Sequence, residues 1–251
     1  MRFAKPVVEP KQNLDLGQLE ANSHVHRVSH MNSAKVSRPF SSSHSLAQIV
    51  IILLAICALI DVIAIAIGGY QSIGKLQLAA RFTAFIVFLI WFYRAHRNLQ
   101  ALGIRRGRYS SPWSVLLFLV PILNLFYAYD LVKELWKQSS PDLGFSDAFL
   151  KQHAFTFEHY PSKTALIGLW WGFTIASVLA ARISDPLTDT WMDLTSDALA
   201  VVASILLIRI VWDTDARQEE KRRRLTLDAV TRKAIDLVVA TEFSRAASSK
   251  N

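Results

Sequence analysis

An all-α fold is predicted for this sequence: an integral membrane helical bundle with four spans plus a re-entrant or interfacial third helix. Three observations predict it. The 251-residue chain is 52% hydrophobic, its apolar residues form five runs, and its basic residues flank those runs unevenly. An α-helix of about 20 residues crosses a hydrocarbon core about 30 Å thick. Four runs are credible spans on this basis, at about residues 46–67, 76–93, 164–183 and 194–212.

The third apolar run, residues 113–129, is shorter and has Pro121 and Asn124 near its middle. Its continuation to residue 136 carries one apolar stripe, which is typical of a helix lying along a surface. Residues 113–136 are therefore predicted to be re-entrant or interfacial. Because non-helical backbone at membrane depth must be shielded by protein, the break should lie against the bundle. Two interpretations of it remain, a kink that Asn124 stabilises and a small polar recess.

The distribution of lysine and arginine decides between four and five crossings. If the third run does not cross, 17 basic residues flank the runs on one side of the membrane and 2 on the other. If it crosses, the two sides have 9 and 10. Cytoplasmic loops carry an excess of these residues, so four spans with both termini in the cytoplasm are predicted. The strongest part of the signal is the connection after the second span, which contains Arg94, Arg97, Arg105, Arg106 and Arg108.

Polar segments flank the predicted membrane domain, which covers residues 46–212. Residues 1–45 have the composition of a disordered cytoplasmic tail. Residues 213–251 are predicted to form a cytoplasmic amphipathic tail, and their basic cluster at 221–224 would attract anionic phospholipid at the cytoplasmic face of the lipid bilayer. The net charge of +8 follows from this bias. The sequence has no basic, aromatic-rich soluble module of the kind that binds nucleic acid, so nucleic-acid binding is not predicted.

Two ionisable residues lie inside predicted spans, Asp61 in the first and Arg81 in the second. A charge at membrane depth is costly, so Asp61 is expected to face the bundle. We predict an ion pair with Arg81 that joins the two helices. A proton or cation relay, or a protonated or water-exposed Asp61, is the alternative. Aspartates 185, 189, 193 and 197 are interpreted as an acidic external loop.

The fourth apolar run repeats small residues at every fourth position, beginning with Gly168 and Gly172 and continuing with Ala176 and Ala180. Such a ridge lets another helix approach closely. The predicted occupant is a helix of the same chain, a second copy in a homo-oligomer, or a membrane partner protein.

Enzyme motifs are not found. The sequence has no nucleophile elbow, phosphate-binding loop, dinucleotide fingerprint or zinc-protease motif. Cys57 is the only cysteine and is expected to pack as a small hydrophobe. No catalytic residue, metal site or cofactor is predicted, and the protein is not expected to be an enzyme.

Several segments resemble a bacterial membrane-protein family catalogued as domain of unknown function 4328. The most specific are Tyr93–Leu99, which contains Arg94, Arg97 and Asn98, and the Val-Pro-x-x-Asn-Leu core at Val120–Leu125. The similarity covers about residues 50–220. Family members often have a Pro-Tyr pair after that core, where this chain has Ala128 and Tyr129. The resemblance implies a multi-pass protein of the bacterial inner (plasma) membrane and implies no activity.

The function expected from these features is that of a scaffold, partner subunit or regulator, acting through helix packing and its cytoplasmic surface. The alternative is a small transporter or channel-like protein that uses Asp61 and the break at Pro121 and Asn124. Inverted repeats would favour transport, and the two halves of the sequence have no clear symmetry.

Overall fold

The computed structural model describes residues 40–67, 70–104, 111–145, 164–183 and 190–248, which lie in one compact unit. This described part is helical and contains no strand. Four of its helices are long and apolar enough to cross a membrane, which confirms the predicted fold class. Asp185 and Asp189 and most of the predicted N-terminal tail lie outside the described residues. The helices are α1 His44–Ile67, α2 Tyr70–Ala101, α3 Ser111–Leu119, α4 Pro121–Gln138, α5 Ala165–Ile183 and α6 Thr190–Ser248.

Helix α6 is the central element, because it packs against both α1 and α5, while α2 packs against α1. We call the end of the bundle where α1 begins and α2 ends the tail end. The opposite end, where α5 ends and α6 begins, is the far end. Near the far end α5 and α6 are joined by reciprocal hydrogen bonds, since the Ser177 and Ser196 hydroxyls donate to each other's carbonyl oxygens at 2.9 and 3.0 Å. Such polar contacts hold helices together where the surroundings are apolar.

Helices α3 and α4 form a hairpin that enters the bundle and returns to the same end. At its start, the Ser114 hydroxyl lies 3.4 Å from Nε2 of His96, on the tail-end portion of α2. At its finish, the carbonyl oxygen of Gln138 accepts a hydrogen bond from Lys221 at 3.2 Å. Residues 113–136, predicted to be re-entrant or interfacial, therefore lie in a hairpin whose two arms meet the same end of the bundle. The turn between its arms is at Val120, which has an extended backbone (φ −86°, ψ 111°), and Pro121 is the first residue of α4.

The hairpin is fixed by aromatic packing. Phe118 lies edge-on to Phe88 and Phe92 of α2, with ring centroids 5.8 and 5.0 Å apart, an arrangement favoured by the ring quadrupoles. On α4, Val132 and Trp136 from the predicted interfacial stripe are buried. The apolar face of α4 thus contacts the bundle.

Two helices continue past the ends of their predicted spans. Helix α2 extends to Ala101 and is followed by Gly103, whose φ of +83° lies in the left-handed region that commonly ends helices. Helix α6 has 59 residues, about 88 Å at 1.5 Å per residue. It contains neither glycine nor proline, so nothing in its sequence interrupts it after Trp212. The residues predicted as a separate amphipathic tail continue this helix as far as Ser248.

Candidate functional site

Four polar side chains from three helices meet near the far end, and we call them the far-end cluster: Asp61 of α1, Gln77 and Arg81 of α2, and Asp197 of α6. Nη2 of Arg81 donates to Oδ1 of Asp61 at 2.9 Å and to Oδ1 of Asp197 at 3.0 Å. Nε2 of Gln77 donates to Oδ1 of Asp61 at 3.1 Å and to Oδ2 of Asp197 at 3.3 Å. One guanidinium and one amide thus join α1, α2 and α6.

Burial within this cluster is uneven. Asp61 is 1% exposed and Asp197 0%, whereas the Arg81 side chain is 41% exposed. Oδ1 of Asp61 accepts both of that residue's hydrogen bonds, and Oδ2 is buried with no hydrogen-bond partner. Since an ionised oxygen without a donor is strongly disfavoured in a buried site, Asp61 is the least satisfied member of the cluster.

The predicted ion pair between Asp61 and Arg81 is present in the structure. The involvement of Gln77 and Asp197 was missed, and the interpretation of Asp197 as part of an external loop is wrong because that residue is buried within α6. A signal was available in the sequence. Gln77 precedes Arg81 by one helical turn, and Asp197 lies inside the predicted span that begins at residue 194.

A cavity of about 330 Å³ lies beside the cluster, and all six helices contribute to its wall. Most of the wall is apolar and aromatic, including Phe85, Trp170 and Trp171, while Arg81 and Asn124 supply polar groups from opposite sides of the fold. A pocket of this kind, largely apolar with a few polar groups, is typical of sites for small ligands.

The break in the third run has a different role from the predicted kink. Pro121 begins a helix instead of interrupting one, so it frees no carbonyl within a helical turn. The backbone N–H of Asn124 donates to the Val120 carbonyl at 2.8 Å. The structure records no hydrogen bond for the Asn124 side chain among the described residues, and that residue lines the cavity. The geometry therefore favours the second interpretation, a polar recess.

A second polar region, the tail-end junction, joins the start of α1 to α2, α4 and α6. Its members are Ser41, Ser43, Asn98, Ser139, Asp215, Gln218 and Lys221. Nδ2 of Asn98 donates to the Ser41 carbonyl at 2.8 Å, and its Oδ1 accepts from the Ser41 N–H at 3.3 Å. Arg94 also donates to the Ser41 hydroxyl. Arg94, Arg97 and Asn98 line a cleft of about 330 Å³ beside Tyr93.

Helix α6 closes the junction with buried side chains. Nε2 of Gln218 donates to the Ala95 carbonyl at 3.0 Å and to the Ser139 hydroxyl at 3.1 Å. The Arg217 guanidinium lies 3.9 Å above the Trp136 ring, a cation–π contact. Lys221, beyond Trp212 and outside the predicted span, is 1% exposed, and burial lowers its pKa to about 8. This polar layer therefore fastens the hairpin to α2 and α6.

Comparison with known protein families gives a match over most of the membrane region. The model of the family described as Domain of unknown function (DUF4328) matches residues 59–216, which is more than half of the chain. The chain belongs to this family. No curated protein and no solved structure matches it. The matched segment contains every residue of the far-end cluster, whereas Gln218 and the remainder of α6 lie after its last residue.

The glycine face of this DUF4328 family member is open. Gly168 and Gly172 are exposed on α5, and a methyl group added to either would meet no atom within 4 Å. The residues that α5 buries are instead Ile167, Trp170 and Ser177. Within the described part of the chain, the ridge therefore has no internal helix packed on it.

Metal binding has no support in the described residues, where no group of three or more histidine, cysteine, aspartate or glutamate side chains could hold an ion. Cys57 is buried and free, as a small packing residue would be.

Proposed function

We propose that this membrane protein is a scaffold or partner subunit that associates with a second copy of itself through helix faces. The observation that carries the proposal is the final part of α6, where Val230, Leu237 and Val238 of one apolar stripe are all exposed. Exposed apolar stripes on a helix typically mark an interaction surface. The open face at Gly172 supports close contact between copies within the membrane as well. No enzymatic step is part of this role.

The self-association is tested by charge on two faces of the same helix. Val230→Glu with Leu237→Glu should reduce the fraction of oligomer, because the apolar stripe would then carry buried charge. The matched control is Ala229→Glu with Ala240→Glu, which adds equal charge at exposed positions away from the stripe. Native mass spectrometry of the protein released from nanodiscs measures the oligomer fraction of both variants. Equal oligomer fractions in the two variants would contradict the proposal.

The membrane-embedded contact has a test of its own. Gly172→Leu should weaken association between copies without disturbing the monomer, because a side chain there meets open space in the isolated fold. Leu78→Phe, which enlarges an exposed residue of α2, serves as the control. If Gly172→Leu leaves the oligomer intact, the α5 face is not an interface.

The orientation we propose puts both termini in the bacterial cytoplasm, supported by the 17 to 2 ratio of flanking basic residues. In a Cys57→Ser background, single cysteines at Gln138, Thr190 and Ala247 test it. A membrane-impermeant thiol reagent added outside the cell should label only the cysteine at Thr190. External labelling of the cysteine at Gln138 would contradict this orientation.

Anionic phospholipid at the tail end is a further partner in this proposal. The cleft lined by Arg94, Arg97 and Asn98 has two guanidinium groups to bind a phosphate, while Tyr93 and Ile90 provide an apolar wall for an acyl chain. Arg94→Gln with Arg97→Gln should reduce retention of phosphatidylglycerol during purification. Retention equal to that of the unmodified protein would exclude this cleft.

Transport or channel-like activity is the second candidate, favoured by the cavity between Arg81 and Asn124. A cavity lined by every helix of a small bundle is where a solute path would lie. Flux across liposomes, with Asn124→Leu as the variant that removes its polar side chain, tests this function. Absence of flux for a panel of ions and small acids would leave the scaffold role as the better account.

A further inference from the structure

We propose that the cavity beside the far-end cluster binds an uncharged molecule of the quinone class, which enters from the lipid and lies between Arg81 and Asn124. The site is the volume of about 330 Å³ whose wall includes both residues. Such binding goes beyond the scaffold role and does not require that a solute crosses the membrane. Three features of the fold point to this ligand: the depth of the hairpin, the aromatic wall of the cavity, and the donors that this wall leaves unused.

The cavity exists because the hairpin extends only part of the way between α2 and α5. Helix α3 has 9 residues and rises about 14 Å, whereas the 19 residues of α5 rise about 28 Å. Within the described part of the chain, α2 packs on α3 and α5 packs on α4, but α2 and α5 do not pack on each other. The cavity lies where the hairpin stops, since Phe118 and Asn124, on either side of the turn at Val120, both line it.

The cavity is open sideways, toward the lipid. Of the residues in its wall, Val178 is 53% exposed and the Arg81 side chain is 41% exposed, so the volume is not enclosed. They belong to α5 and α2, the two helices on either side of the gap, and both helices are long and apolar enough to cross a membrane. An opening between two such helices leads into hydrocarbon. A ligand that enters through it comes from the bilayer and is largely apolar.

The wall of the cavity is suited to a flat ring. Aromatic side chains from three helices form part of it: Phe85, Phe88, Phe118, Trp170 and Trp171. Phe88 and Phe118 meet edge to face with centroids 5.8 Å apart, and the rings of Trp170 and Trp171 are 5.5 Å apart. A conjugated ring gains offset or edge-on contacts with such side chains in addition to the area that it buries. The wall therefore favours a ring over a plain acyl chain.

Three polar side chains of the wall have hydrogen-bonding groups that no described residue uses. Arg81 donates through Nη2 only, so its Nε and Nη1 groups remain. The side chains of Asn124 and Ser204 have no hydrogen bond within the described ranges. A guanidinium, an amide and a hydroxyl can all donate, and leaving them against hydrocarbon is costly. An acyl chain would do so, whereas an occupant with acceptor oxygens would satisfy these donors.

The positions of these donors favour a neutral ligand with an acceptor at each end. Nη2 of Arg81 already contacts carboxylate oxygens of Asp61 and Asp197, so an ionised ligand head at Arg81 would lie close to both and be repelled. The hairpin that carries Asn124 contacts Phe88, which lies about 10 Å beyond Arg81 along α2, since seven residues rise about 1.5 Å each. A quinone has carbonyl oxygens on opposite sides of one ring. It can therefore accept from both donors while its apolar tail extends into the lipid.

Titration of tryptophan fluorescence with decylubiquinone, a quinone with a decyl tail, tests the proposal on the full chain in nanodiscs. A quinone bound beside Trp170 and Trp171 should quench their fluorescence in a saturable way, whereas a quinone that is only dissolved in the lipid quenches without saturation. Ala200→Phe puts a ring into the cavity and should abolish the saturable part. Ala198→Phe, at an exposed position of the same helix outside the cavity wall, is the matched control and should retain it. Asn124→Leu should weaken binding about fivefold, as the loss of one hydrogen bond does.

Two competing probes separate the classes of ligand. Decylbenzene has a ring and the same tail but no acceptor oxygen, and decanoate has an ionised head. At a concentration equal to that of the quinone, neither should reduce the saturable quenching. Displacement by decylbenzene would show that the donors do not select the ligand, and displacement by decanoate would show that the site takes an anion.

Either displacement would overturn the proposal. So would quenching of the unmodified protein without saturation, or saturable quenching that is equal in Asn124→Leu and the unmodified protein. Elution of each variant as a single species and helical circular dichroism verify folding, and Asn124→Leu provides the decision if Ala200→Phe does not fold. These outcomes are independent of the oligomer fraction, so a failure of the scaffold role is distinguishable from a failure of quinone binding.

Discussion

The far-end cluster and the tail-end junction both bury polar side chains between α1, α2 and α6, but their hydrogen-bond partners differ. In the far-end cluster, side chains bond to side chains, and two carboxylates depend on one guanidinium. In the junction, Asn98, Gln218 and Lys221 each donate to a backbone carbonyl oxygen. A carbonyl is fixed by its helix or turn, whereas an ionisable partner can gain or lose a proton.

This difference indicates separate roles for the two ends. The junction is suited to hold the hairpin in place, because the bonds from Asn98, Gln218 and Lys221 end on backbone carbonyl oxygens, which do not titrate. In the far-end cluster one guanidinium pairs with two buried carboxylates, and Oδ2 of Asp61 is buried without a donor, so the stability of the cluster depends on charge. A variant that removes one of these junction bonds should therefore lower the free energy of unfolding equally at all moderate pH values. The effect of a variant in the cluster should change with pH.

The largest effect is expected from Arg81→Leu, because it removes the guanidinium that pairs with two buried carboxylates. Removing one partner of a buried ion pair typically destabilises a protein by about 3–5 kcal/mol, and the partial exposure of Arg81 puts this site near the lower figure. The loss should be smaller in acid, where less negative charge depends on a cation. The free energy of unfolding in bicelles, measured by steric trapping at two pH values, provides the comparison.

Lys75→Leu is the matched control for that variant, since it removes an exposed cation from the same helix two turns earlier. Its effect should stay within about 0.5 kcal/mol. If Arg81→Leu lowers the free energy of unfolding only slightly and equally at both pH values, the cluster contributes to stability in the same way as the junction.

An intermediate effect is expected from Gln218→Leu at the junction. The change removes the buried hydrogen bonds that Gln218 donates to the Ala95 carbonyl and the Ser139 hydroxyl, which costs about 1–3 kcal/mol. Unlike the cluster variant, it should be equally destabilising in mild acid and at neutral pH. Gln100→Leu, at an exposed position of α2, controls for the change in side-chain type. Thermal unfolding at both pH values gives the readout, and a strong pH dependence would argue against the comparison.

Much of the fold could be predicted because it follows from local properties of the sequence. Run length identified the four helices that are long and apolar enough to cross a membrane. Length and the position of Pro121 separated the third run from them, and in the structure it forms a hairpin. The ion pair of Asp61 with Arg81 was also predicted, since each is a costly charge inside an apolar run. These inferences need no knowledge of which helix faces meet.

The parts that were missed depend on how helices pack. Asp197 was assigned to a loop because three other aspartates precede it, and only the contact of α6 with α1 and α2 brings it to Arg81. Ser41 was assigned to a disordered tail, yet Asn98 binds its backbone. The end of the apolar run at Trp212 marks a change in hydropathy and not the end of α6, which continues because its sequence has no helix breaker.

The smallest effect at neutral pH is expected from Lys221→Met, and its pH dependence separates burial from charge pairing. Burial lowers the pKa of Lys221 from 10.5 to about 8 in the folded protein, so the unfolded chain binds more protons between these values. The stability of the unmodified protein should therefore rise as the pH increases from about 8 toward 10.5. In Lys221→Met this rise should be absent, while the lost hydrogen bond to Gln138 offsets the relieved desolvation at neutral pH. Melting temperatures across the alkaline range measure the difference. If the stability of Lys221→Met still rises over this pH range, another group is responsible for the titration and Lys221 is not.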